Sequence, residues 1–186
     1  MKKSLLGAVA LLSALTLGVT SCSSEVSKEE FTQKANKLEV PEEYNGEVVV
    51  EYTIKIGDEV TQGRYVATVE DGDPIDKEGS LPAGSDVAAS IAAAMLSITT
   101  AVQDYQVTAS SENTHYYFTA GDGYKISFAQ TYLGMDVKVE VEFDSLGRMV
   151  RCETSESTAG TQVDFGIGSF EISSIEARFV ITANWR

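Results

Sequence analysis

Met135-Asp136-Val137-Lys138-Val139-Glu140-Val141-Glu142-Phe143 alternates apolar and charged residues almost without a break. Val137, Val139, Val141 and Phe143 fall on one side and Lys138, Glu140 and Glu142 on the other, the period of two expected of a strand with one buried face. Asp144-Ser145-Leu146-Gly147 follows as a turn, and residues 149–154 return as a second strand. This stretch therefore reads as a hairpin of an antiparallel sheet, with one face in the core and the other in water.

The same period extends outward from that hairpin. Toward the carboxyl terminus, Ile175, Ala177, Phe179, Ile181, Ala183 and Trp185 alternate with Glu176, Arg178, Thr182 and Asn184. Toward the amino terminus, Val48, Val50, Tyr52, Ile54 and Ile56 face away from Glu47, Glu51, Thr53 and Lys55. Gly57-Asp58-Glu59 then turns the chain into a strand through residues 64–69. Further strands are predicted at 105–109, 115–120 and 124–130, with turns at Gly121-Asp122-Gly123 and Leu133-Gly134. Two stretches read as loops: the acidic residues 71–83, punctuated by Gly72, Pro74, Gly79 and Pro82, and the glycine-rich excursion 160–168.

Two segments carry a helical period instead. Ser27 with Glu30 three residues on has capping-box spacing, and Phe31, Ala35 and Leu38 form the apolar stripe of an amphipathic helix that Pro41 ends. Ser85 to about Tyr105 is apolar nearly all round: Val87, Ile91, Met95, Ile98 and Val102 make one stripe, and Ala88, Ala89, Ala92 and Ala93 lie opposite. Such a helix is buried on more than one side, and its alanines permit close approach to a sheet. The expected class is α+β, an antiparallel meander packing an apolar helix, with an amphipathic helix at the amino terminus.

The first residues give an address. Met1-Lys2-Lys3 is cationic, residues 5–19 are apolar, and the run is shorter than the roughly 20 residues a membrane span needs. Val19-Thr20-Ser21-Cys22 closes it and resembles the lipobox of bacterial lipoproteins. That resemblance implies cleavage before Cys22, a diacylglyceryl thioether on its sulfur and acylation of the new amino terminus. Several acyl chains on one residue hold a protein to a bilayer where one chain does so only marginally. The expected organisation is a signal peptide at 1–21, a short lipidated tether at 22–27 and a single domain at 28–186. The expected location is extracytoplasmic, on the cell membrane or outer membrane.

Charge and chemistry narrow the function. The chain has 28 acidic and 14 basic residues, a formal net charge of −14, and Lys2 and Lys3 leave with the signal. Nucleic acid is not an expected partner, because binding its phosphates requires a positive face. With Cys22 lipidated, Cys152 has no disulfide partner and reads as a small buried residue. His115 is the single histidine, in phase opposite to Tyr116 and Phe118, and no Ser nucleophile elbow accompanies it. Residues 71–78 space carboxylates like a calcium loop, but Ile75 stands at the fifth position and Asp76 where the turn needs glycine. No catalytic residue, metal ligand or cofactor is assigned, and a noncatalytic protein is expected.

Aromatic residues crowd the middle of the meander: Tyr105, Tyr116, Tyr117, Phe118, Tyr124, Phe128 and Tyr132. With the apolar helix they outline a candidate ligand cavity lined by Val87, Ile91, Met95, Ile98, Val102, Tyr116, Phe118, Tyr124 and Phe128. The order of elements, helix, hairpin, apolar helix and long meander on a lipid-anchored chain, resembles the half-barrel lipoprotein carriers LolA and LolB and the mycobacterial LppX and LprG. The resemblance covers most of the mature chain, carries no diagnostic motif, and implies a curved half-barrel sheet that binds lipid or lipidated cargo. The alternative is a structural or protein-interaction lipoprotein of the envelope with a solid core.

Overall fold

The computed structural model describes residues 23–41, 45–71, 73–79, 101–105, 111–132, 135–164, 169–172 and 174–186. Their elements are β1 (Ser24–Val26), α1 (Lys28–Ala35), β2 (Gly46–Ile56), β3 (Glu59–Glu70), β4 (Asp73–Gly79), β5 (Thr114–Phe118), β6 (Tyr124–Tyr132), β7 (Met135–Phe143), β8 (Met149–Thr158), β9 (Thr161–Asp164), β10 (Ser169–Ile172) and β11 (Ile175–Trp185). Nine strands form an open, curved antiparallel sheet in the order β1-β5-β6-β7-β8-β11-β2-β3-β4. The pair β9–β10 stands apart as a two-stranded ribbon.

The last strand joins the two halves. Along β11, Ile181 lies opposite Cys152 of β8 and Val50 of β2, and Phe179 opposite Thr154 and Tyr52. The Trp185 indole N–H donates to the Met149 carbonyl at 2.6 Å and pins the end of β11 to the start of β8. Because registers match across all these ladders, alternate residues gather on one inner face. Val48, Val50, Ala67, Tyr124, Ile126, Val141, Met149 and Ile181 are buried there, and no polar or charged residue among those described is buried. Full burial of each such aliphatic side chain contributes roughly 1.5–3 kcal/mol.

The outer face is polar and bridged by charge. Lys125 pairs with Glu140 and, at 3.9 Å, with Glu142, while Lys55 lies 3.7 Å from Glu176. Opposite charges on adjacent strands suit a solvated sheet face.

α1 begins where its sequence indicates. The Ser27 hydroxyl accepts the Glu30 amide at 3.2 Å, and Phe31 and Ala35 are the buried residues of the helix. Asn36 caps the far end, and the chain then lays Leu38 and Val40 against the turn between β7 and β8. That turn is braced by Asp144, whose carboxylate accepts the Leu146 and Arg148 amides, both at 2.9 Å, and the Arg148 guanidinium at 2.8 Å.

Several expectations change. Within the expected tether, residues 24–26 pair with residues 116–118 as β1, while Cys22 lies outside the described residues. Residues 73–79, read as acidic loop, are strand β4 against β3, with Pro74 near its start, where an edge strand tolerates proline. The excursion at 160–168 contributes β9 to the ribbon. Tyr105 does not open a strand: its amide donates to the Ala101 carbonyl at 3.0 Å, closing a turn over residues 101–105. In the first three cases backbone pairing formed where the side chains carry no clear period. The predicted apolar helix is outside the described residues up to position 100.

Candidate functional site

A cleft of about 340 Å³ opens between α1, the 101–105 turn and the inner face of β5 and β6. Phe31 and Ala35 of α1 form one wall, Val102 and Tyr105 the other, and Tyr116 and Ile126 the floor. The mouth carries Lys28, Thr32, Asn36 and Gln103. The lining is thus mixed, with apolar and aromatic side chains on the walls and floor and polar ones at the opening.

Each wall is fixed by the fold. α1 is held over the sheet by an aromatic cluster: Phe31 lies 5.1 Å from Tyr116, 5.5 Å from Tyr124 edge-on and 6.1 Å from Phe118 stacked. Phe118 and Tyr124 meet edge to face at 5.7 Å. Lys34 sits over the Phe118 ring at 4.4 Å and reaches Asp122 at 3.7 Å, which adds a cation–π contact at the helix end. The opposite wall hangs from the β7–β8 turn, because the Val102 amide donates to the Gly147 carbonyl at 3.0 Å. Tyr105 then packs edge-on against Phe143 at 5.7 Å.

The two tyrosines are the chemically distinctive members. Neither hydroxyl has a hydrogen-bond partner among the described residues. Burial, and then the nearby Cys152 thiol, push the Tyr105 pKa far above its ordinary value. Burial, and then Glu29, raise that of Tyr116. Both phenols are therefore neutral donors at physiological pH. Cys152 is buried and unpaired, and its own pKa is raised chiefly by burial, the opposite of what a nucleophilic thiol needs.

The residues proposed from sequence divide sharply. Val102 and Tyr116 line the cleft. Phe118 and Tyr124 share their inner face but pack against Phe31, so α1 fills the space they were expected to leave open. Phe128 packs on the core two residues along β6 from Ile126. Val87, Ile91, Met95 and Ile98, like Cys22, lie outside the described residues. Phe31, Tyr105 and Ile126 were missing from the expected cavity. The amphipathic stripe marked Phe31 as buried, but nothing local says that it meets rings more than eighty residues away.

His115 is on the outer face, its Nδ1 2.7 Å from the Glu25 carboxylate of β1. It ties the edge strand to β5 and does not approach the cleft. No protein-family model, curated protein or solved structure matches the chain.

Proposed function

We propose that this chain is an exported, noncatalytic bacterial lipoprotein, anchored through lipidated Cys22 to the cell membrane or outer membrane, which binds a lipid or other apolar ligand between α1 and the sheet. The half-barrel carrier architecture belongs to the same proposal. The observation that carries it is the cleft between α1, the 101–105 turn and the sheet, where the Tyr105 and Tyr116 rings stand beside Phe31, Val102 and Ile126. Both phenols can donate a hydrogen bond, which suits a ligand carbonyl or ester oxygen. At about 340 Å³ the cleft lies at the small end of ligand pockets, so one acyl chain suits it better than several. β1 starts two residues after Cys22, which would hold the cleft close to the bilayer supplying such a ligand.

Native mass spectrometry of the full chain extracted from membranes tests this. Retained lipid is expected beyond the mass added at Cys22, and it should fall in the Tyr105→Phe, Tyr116→Phe double variant while the fold persists. Cys22→Ser should move the protein out of the membrane fraction. A second reading, an interaction lipoprotein with a solid core, draws support from Phe31 filling the space between Tyr116, Phe118 and Tyr124. It predicts bare protein in the same spectrum.

A further inference from the structure

We propose that the outer face of the sheet carries a second, polar binding groove for a short acidic peptide bearing two carboxylates and an ammonium, recognised by Arg64, Arg178 and Glu51. The groove has a volume of about 480 Å³ and runs across β3, β2 and β11. It does not rest on the ligand reading of the cleft, which lies against the inner face of β5 and β6.

Register brings its parts together. Arg64, Glu51 and Val180 form one rung across the three strands, and Gln62, Thr53 and Arg178 form the next rung on that face. Val180 is 8% exposed, an apolar floor on an otherwise polar face. Arg178 is pre-oriented: its Nε donates to one oxygen of Glu153 at 2.7 Å, while Arg151 donates to the other at 2.7 Å. Glu153 thus fixes the Arg178 fork and leaves its terminal nitrogens for another acceptor. Arg64 has no hydrogen bond or ion pair with any described residue, in a chain where acids outnumber bases two to one.

The ligand class follows from that arrangement. Guanidinium forks match planar carboxylates bidentately. Arg64 and Arg178 stem from strands two spacings apart, roughly 10 Å between backbones, with Glu51 on the strand between them, which suits two separate carboxylates of a dipeptide better than one compact anion. Glu51 lies between them, repels a compact dianion such as phosphate, and offers an acceptor for an ammonium. Gln62 and Thr53 supply neutral groups for peptide N–H and C=O.

Isothermal titration of the full chain in detergent micelles, using the dipeptide glutamyl-alanine, which bears two carboxylates and an ammonium, tests the assignment. Saturable binding is expected at low salt, and binding at least tenfold weaker for glutaminyl-alanine, which keeps only the terminal carboxylate. Arg64→Gln should weaken it about tenfold or more. Arg178→Lys, which keeps the charge but loses the fork, should weaken it less than Arg64→Gln. Circular dichroism should show both variants folded, since both side chains project from a solvated face. Absence of dipeptide binding to the wild-type chain, equal binding by Arg64→Gln, or inorganic phosphate competing at concentrations equal to the dipeptide would each overturn the proposal.

Discussion

The two faces of this sheet are made by the same strands, yet they hold the molecule in different ways. On the inner face, Val50, Ile181, Cys152 and Val141 line up across neighbouring ladders and exclude water, and Phe31 fastens α1 to Tyr116, Phe118 and Tyr124 of the same sheet. On the outer face, Lys125, Glu140, Arg151, Glu153 and Arg178 meet as ion pairs that remain in contact with solvent. Apolar burial scales with area removed from water, whereas an exposed ion pair contributes about 0–1 kcal/mol. The inner face therefore carries the stability, and the outer face is free to vary or to bind.

The largest effect that could break this contrast is Phe31→Ala. It removes a 3% exposed ring that touches three others, and a loss of about 3–5 kcal/mol is expected from urea unfolding. α1 should detach, and the cleft should lose its wall. Arg178→Ala on the other face should cost no more than about 1 kcal/mol. Comparable losses for the two would mean that the faces share the load.

Next in size is Gly147→Ala. Gly147 has φ of +82°, which costs an L-residue roughly 1–2 kcal/mol, and an added Cβ would lie 2.9 Å from Val102 and 3.0 Å from Leu38 and Val40. A loss of about 2 kcal/mol is expected, together with weaker ligand retention, because Val102 is a wall of the cleft. Lost stability with retention unchanged would separate the turn from the site.

Sequence made the inner face readable and the cleft only partly so. Alternation placed β7, β11 and β2 because half-burial imposes a period of two on side chains, as Val137 to Phe143 shows. It missed β1 and β4, whose pairing uses the free backbone groups of β5 and β3 and imposes no such period at the sheet edges. Tyr116 and Val102, which line the cleft, were legible as inward-facing residues because they are apolar-face positions. Phe118 and Tyr124 were equally legible as inner-face residues, but whether α1 or a ligand covers them depends on how the chain doubles back after Ser27. The outer groove was not legible at all, since its members at positions 51–64 and 178–180 become neighbours only through β11.

A smaller effect, about 1 kcal/mol, is expected for Ser27→Ala, which leaves the Glu30 amide without its 3.2 Å acceptor. Hydrogen exchange should quicken in the first turn of α1 while the sheet amides stay protected. Sheet-wide acceleration would show that α1 is part of the sheet's cooperative unit and not an appendage to its inner face.

The outer face supplies the smallest and most selective test, Glu153→Gln read against pH. The hydrogen bond from Arg178 lowers the Glu153 pKa most; burial opposes it, and Arg151 adds to the lowering. A carboxyl whose folded pKa is depressed stabilises the folded state above its unfolded pKa, roughly 4.3, and loses that contribution as pH falls through the lower folded value. Because Arg178 and Arg151 are 59% and 38% exposed, solvent screening limits the gain to about 0.5–1 kcal/mol. Urea unfolding should therefore separate wild type from Glu153→Gln by that amount at pH 7, and the two should converge as acid protonates the wild-type carboxyl. Added salt should narrow the gap at pH 7 for the same reason. A gap that survives both acid and salt would have to come from packing at position 153, and the outer face would then hold the fold by the same means as the inner one.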